Sequence, residues 1–201
     1  GPDVTIISGT LDNPVVRINS GETELTSLEG FTIRGGGGIL LNGVRKGGGI
    51  YINDASPRIT NCIIEENQAT VGAGIAIDGG NPSTLVLEQV VVRMNTALDS
   101  GGGLALSGSS TGISMTECTL EQNHANIVAG GLYCEASSIE LQSCLILDNT
   151  SDLLGGGIWL YSQSEAVFQD CEIAGNTAVV TGGGLIVSAF SRVTLDHCLV
   201  R

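Results

Sequence analysis

Gly47-Gly48-Gly49-Ile50-Tyr51-Ile52 joins a short glycine run to alternating apolar residues, and the chain spells a version of it six times. The last glycines of these runs are Gly49, Gly74, Gly103, Gly131, Gly157 and Gly184, separated by steps of 25, 29, 28, 26 and 27 residues. A period in this range marks a repeat architecture, in which each unit buries its apolar face only by stacking on its neighbours. Directly after the glycines stand Ile50, Ile75, Leu104, Leu132, Ile158 and Leu185, and two residues later Ile52, Ile77, Leu106, Cys134, Leu160 and Val187. That is period 2, a strand with one buried face.

Two further strand-like segments follow in every repeat. The pairs Leu85 and Leu87, Ile113 and Met115, Ile139 and Leu141, Ala166 and Phe168, and Val193 and Leu195 precede a column that reads Cys62, Val90, Cys118, Cys144, Cys171 and Cys198, with Pro57 and Ile59 as the pair of the first repeat. Two residues past that column come Ile64, Val92, Leu120, Ile146, Ile173 and Val200, and three further on Asn67, Asn95, Asn123, Asn149 and Asn176. Three short strands per turn, with no 3.6-residue pattern, predict an all-β fold: a right-handed parallel β-helix of seven to eight turns. At a strand spacing of about 4.8 Å this makes a prism on the order of 35 Å long.

The paired motifs Gly47-Gly48-Gly49-Ile50 and Ile64-Glu65-Glu66-Asn67, with their copies such as Val92-Arg93-Met94-Asn95 and Ile173-Ala174-Gly175-Asn176, resemble those of bacterial right-handed β-helix repeat proteins. That group has the pectate-lyase-like superfold and includes the polymorphic outer membrane proteins with their GGA(I/L) and FxxN repeats. Here Ile, Val or Leu replaces the aromatic of the second motif throughout. The resemblance spans residues 28–201 and implies a secreted or cell-surface scaffold.

The N-terminal residues fit the same coil with looser spelling. Phe31 takes the cysteine position, Val16 and Ile18 match the strand after the glycines, and residues 1–7 look like the close of an earlier turn. Gly1-Pro2 reads equally as a remnant of a protease site. Residues 35–49, rich in glycine and carrying Arg45-Lys46, are expected to protrude as a loop. The whole chain, residues 1–201, is thus one β-helix domain, looser over 1–46 and regular over 47–201. Lacking an initiator Met and stopping in mid-turn at Arg201, it is expected to be a slice of a longer protein.

Composition bounds the function. A net charge of −13, from 21 acidic and 8 basic residues, repels nucleic acid and anionic membranes, and no apolar run reaches the about 18 residues of a membrane-spanning helix. Five of the six cysteines share one inward column with Val90, and Cys134 sits in another, so Cys62, Cys118, Cys134, Cys144, Cys171 and Cys198 are expected as buried free thiols without a disulfide. No histidine stands at ligand spacing from them, and neither a metal nor a cofactor is expected. The asparagines read as a structural ladder: Asn tolerates the left-handed conformation of a tight bend, and stacked amides bond one another. The glycine runs lack the Gly-Lys-Ser/Thr of a phosphate loop.

Function is left to the outward surface. Tyr51, Ala76, Ala105, Tyr133, Trp159 and Ile186 alternate with inward residues and are expected to face solvent. Tyr133, Trp159 and Tyr161 fall together on adjacent turns, the composition expected of a contact site for a glycan or a protein that contributes little to folding. A second outward column, Ile63, Val91, Thr119, Leu145, Glu172 and Leu199, is apolar enough to call for a cover, whether a crossing loop, a domain or a second copy. The open ends of the coil offer self-association too. Catalytic residues are not identified. Carboxylate pairs such as Glu65 with Glu66, or Glu117 with Asp170, arise by chance in an acidic stack; Lys46 is the sole lysine; His124 and His197 lack a matching Ser and carboxylate. The expectation is a non-catalytic secreted or surface module for adhesion or assembly, with a carbohydrate-active enzyme, lyase or hydrolase, as the alternative.

Overall fold

In the computed structural model, which describes residues 5–79 and 85–201, the chain winds as a β-solenoid of about seven turns. Four sheets of seven or eight strands run the length of the coil. Face I follows the glycine runs and comprises Val16–Ile18, Ile50–Asn53, Ile75–Asp78, Leu104–Ser107, Leu132–Glu135, Ile158–Tyr161 and Leu185–Val187. Face II carries the pair before the cysteine column, from Ser27–Glu29 and Arg58–Thr60 through Ser138–Gln142 and Glu165–Gln169 to Arg192–Asp196. Face III, from Ile6–Ser8 and Thr32–Arg34 to Leu199–Val200, follows the cysteines. Beyond the three expected strands a fourth ladder, face IV, lies between the asparagines and the next glycines, with Gln68–Val71, Thr96–Ser100 and His124–Ala125 among its members. Every pairing between turns is parallel and joins the aligned residues: Ile50 to Ile75, Ile75 to Leu104, Leu104 to Leu132 and Leu132 to Ile158.

The inward columns form one continuous core running from Ile18 to Ile173, with Phe168 among the largest fully buried side chains. Val16 and Ile18 pair with Ile50 and Ile52, as their spelling implied. Thr32 pairs with Ile63, which puts Phe31 beside Cys62. Ile6–Ser8 closes an earlier turn by pairing with Thr32–Arg34; the rest of that reading, residues 1–4, lies outside the described residues. All six cysteines are free, and five are buried. Cys198 is only half-buried, because within this chain no turn stacks over it.

Corners explain the spelling of the repeat. A residue in the left-handed region precedes each member of the cysteine column, for instance Gln89 at φ 54°, Glu117 at 52° and Ser143 at 54°. Another precedes each asparagine: Glu66, Met94, Gln122, Asp148 and Gly175 all have φ between 51° and 66°. The asparagines themselves are not left-handed, contrary to the reading that their tolerance of that conformation placed them. Their role is the ladder. Asn95 donates both its main-chain N–H (3.1 Å) and its Nδ2 (3.0 Å) to Asn123 Oδ1, and the pattern repeats from Asn67 to Asn176. Each side-chain amide thereby caps a main-chain N–H that the corner turns away from the sheet.

The glycine column is dictated by proximity. A Cβ on Gly49, Gly74, Gly103, Gly131 or Gly157 would stand 2.5 to 2.8 Å from the carbonyl oxygen of the glycine in the next turn. Residues 35–49 do not protrude. Ile39–Leu41 and Val44–Lys46 form an antiparallel hairpin about Asn42-Gly43, both at positive φ, and it begins face IV. Asn-Gly satisfies the two left-handed positions of such a turn, so the segment continues the sheet.

Candidate functional site

Face I brings together the residues singled out for contact, but its outer column does not simply face solvent. Tyr51 is 4% exposed, and Ala76 and Ala105 are buried. The cause is the preceding corner: the left-handed Gly47, Gly72 and Gly101 fold over the sheet, so close that a Cβ there would lie 2.8 Å from Cβ of Tyr51, Ala76 and Ala105 respectively. Period-2 alternation distinguishes core from outer face but does not report that the chain doubles back over that face.

At the N-terminal end of face I this cover contains a polar network. Lys46 Nζ donates to both oxygens of Asp78 at 2.8 Å, Tyr51 OH donates to Asp78 Oδ2 at 3.2 Å, and Ser107 Oγ donates to Asp78 Oδ1. Burial, and next the Asp78 charge, push the Tyr51 phenol up to about 12. The sole lysine is thus an ion-pair partner rather than a base presented to a groove.

Further along the same face the aromatic residues meet. Tyr133 pairs with Trp159 across adjacent strands, and Glu135 with Tyr161. The Tyr133 and Trp159 ring centroids are 6.1 Å apart at 73°, those of Trp159 and Tyr161 5.6 Å apart at 66°, both edge-on arrangements. Trp159 Nε1 donates to Ser188 Oγ at 2.7 Å, which fixes the indole against the following turn. Tyr161 is 38% exposed, while Tyr133 and Trp159 are half-buried. Burial and then the neighbouring Glu135 hold the Tyr133 phenol well above its ordinary range.

The carboxylates proposed as chance pairs do not converge. Glu65 is ion-paired with Arg93 at 2.8 Å, and Glu117 accepts from Gln89 Nε2 at 2.9 Å. Sequence reasoning missed two features whose members meet across adjacent turns of one face. His124 Nδ1 lies 2.9 Å from Thr150 Oγ1, with Asp152 3.7 Å from Nε2, on the open surface of face IV. On face II the exposed Glu140 stands between two shallow grooves of about 140 and 290 Å³, the larger also lined by Ser114, Ser138, Glu165 and Val167. Among the described residues no group of His, Cys, Asp or Glu is arranged to hold a metal ion. The second outward column, on face III, leaves Leu145 and Leu199 exposed and Ile63, Val91 and Thr119 half-buried.

A further missed element is a serine ladder at the corner from face I to face II. Ser110 N–H donates to Ser137 Oγ (3.1 Å), Ser137 N–H to Ser164 Oγ (3.4 Å) and Ser164 N–H to Ser191 Oγ (3.1 Å). Its signal was legible: Ser56, Ser83, Ser110, Ser137, Ser164 and Ser191 follow at an unbroken step of 27 residues, although Ser83 lies outside the described residues.

A family model described as "Right handed beta helix region" matches the chain over residues 12–120 and again over 48–201. No curated protein and no solved structure matches the chain.

Proposed function

The chain belongs to the right-handed β-helix family, and from that premise we propose that it is a non-catalytic scaffold, secreted or displayed at the cell surface, which meets a glycan or a protein through the Tyr133–Trp159–Tyr161 patch. The observation that carries this reading is the contiguity of three aromatic rings on the outer side of a regular prism, with the indole held in place by Ser188. Aromatic side chains outside the core supply large contact area at small entropic cost. The acids support the same reading, since Glu65 and Glu172 are each engaged by an arginine.

The test is binding of the wild-type chain to a glycan array and to a panel of extracellular proteins, with Tyr161→Ala beside it. Tyr161 is the most exposed of the three, so its removal should leave the thermal midpoint in place and weaken binding by about two- to tenfold. A ligand that binds Tyr161→Ala as tightly as wild type, or no ligand at all, refutes the reading. The alternative of a carbohydrate-active enzyme draws on one observation, the Glu140 and Glu165 carboxylates on the larger groove of face II. It requires release of reducing ends or unsaturated products from a polysaccharide, abolished by Glu140→Gln.

A further inference from the structure

We propose that a groove on face IV, apart from the aromatic patch of face I, binds a short aliphatic monocarboxylate, with the carboxylate on Arg45 and the chain between Leu11 and Leu98. The groove arises from an irregularity in the face IV ladder. Ala69 pairs with Ala97 but Val71 with Ser100, so Leu98 and Asp99 together stand opposite Thr70. Such a bulge bends its strand and re-aims a side chain, and Leu98 is left 62% exposed. Leu11, exposed on an earlier turn, stands at the other rim, and the buried Gly37 and Ala69 lie between them. Residue 37 has no room for a side chain, because a Cβ there would run into the Leu11 carbonyl. The space enclosed is about 200 Å³. At about 30 Å³ per water that is the room of about six or seven waters, which suits a carboxylate on a chain of about four to six carbons.

The polar end of the groove is an arginine without an acid. Arg45 Nη1 donates to Asp12 O at 2.8 Å and to Gly38 O at 3.0 Å, and its main-chain N–H donates to Thr70 Oγ1 at 3.3 Å, so the guanidinium is held in one orientation at the groove wall. Arg58, Arg93, Arg192 and Arg201 each engage a carboxylate. Among the described residues Arg45 engages none, and its Nε–H and Nη2–H are left without a partner. Those two groups form the parallel fork that meets both oxygens of a carboxylate. Gln68, exposed on the same groove, adds an amide donor. The C-terminus of a peptide would bring an amide N–H as well, and the two carbonyls that the guanidinium touches already accept from it. A phosphate monoester would need more donors than one fork, and its second charge would meet stronger repulsion from a chain of net charge −13. A single carboxylate on an apolar chain satisfies the fork and fills the space between the two leucines.

The experiment titrates the intact, isotopically labelled chain with sodium hexanoate at neutral pH and constant ionic strength, and follows the amide resonances of Gly37, Gln68 and Leu98. Hexanoate should shift them saturably. Hexanol, which keeps the chain and lacks the charge, should bind about tenfold more weakly, as should inorganic phosphate and N-acetyl-alanyl-leucine. Butanoate, two methylenes shorter, should also lose about tenfold. Arg45→Gln should weaken hexanoate by about tenfold or more. Because that variant also gives up the bonds to Asp12 and Gly38, Leu98→Glu is the second: at an exposed position it should leave the thermal midpoint unchanged and weaken hexanoate about tenfold by setting an acid at the rim. The proposal is overturned if hexanoate gives no saturable shift, if hexanol or phosphate binds as well as hexanoate, if the dipeptide binds better, or if Leu98→Glu binds hexanoate as wild type does.

Discussion

Replacing Asn123 by alanine tests the amide ladder where it is most enclosed. The Asn123 side chain accepts from Asn95 N–H at 3.1 Å and from Asn95 Nδ2 at 3.0 Å, and it donates to Val92 O at 2.9 Å and to Asn149 Oδ1 at 3.0 Å. Asn149 Oδ1 keeps the Asn123 main-chain N–H at 3.0 Å, and Asn95 Nδ2 keeps Ile64 O at 2.9 Å. Asn95 Nδ2 also keeps Arg93 O at 2.9 Å, so what is lost without replacement is an acceptor for Asn95 N–H, in a residue fully shielded from water. At about 1–3 kcal/mol for a buried donor left unpaired, that loss sets the cost of the substitution. It is a sizeable part of the about 5–15 kcal/mol by which domains are stable. Asn67→Ala is the internal comparison, because Asn67 Oδ1 accepts from one main-chain donor too, Gly36 N–H at 2.9 Å, and its loss should cost about as much. Urea unfolding followed by circular dichroism should show the midpoint of Asn123→Ala lowered by about 0.5–1.5 M with an unchanged slope. A loss under about 1 kcal/mol in both variants would refute the reasoning that the ladder stabilises by satisfying main-chain donors.

The glycine column predicts opposite outcomes for one substitution at two places. Gly74→Ala puts a Cβ 2.5 Å from Gly103 O and 2.6 Å from Val92 Cγ1 and should destabilise by more than about 2 kcal/mol, whereas Gly184→Ala meets nothing nearer than 3.6 Å and should be neutral or slightly stabilising; thermal midpoints of the two variants check this. The thiols predict a pH dependence. Burial pushes Cys134 up to about 11, so the folded chain keeps a proton that the unfolded chain sheds near pH 9. The unfolded state then binds fewer protons, and stability should fall as pH rises from about 9 to 11, less steeply in Cys134→Val. A thiol reagent should meanwhile reach Cys198 in the native state and the other five cysteines only after denaturant. Rapid native labelling of the five, or a pH profile unaltered in Cys134→Val, would count against their burial.

The amino-acid sequence determined the solenoid, its period and its inward columns, because each turn repeats the same short-range demands. Alternation in Ile158-Trp159-Leu160 sets a pleat, a glycine in each turn yields to the one above, and an asparagine every turn supplies both donor and acceptor to the next. Even the serine ladder is written as an unbroken step of 27 residues. What only the tertiary structure decided is the fate of the outward side chains. Tyr51 and Trp159 occupy the same column, yet one is sealed under a corner beside Asp78 and Lys46 and the other stays half-open beside Tyr133 and Tyr161. The grooves flanking Glu140 are likewise products of winding, whereas the hairpin follows from its own Asn42-Gly43 turn. The physical reason is one of range. Inward positions answer to their own strand and its copies one period away, which the chain spells out. Outward positions answer to whichever corner folds over them and to side chains on the neighbouring turn that share no fixed residue type, and alternation within a strand does not encode those meetings.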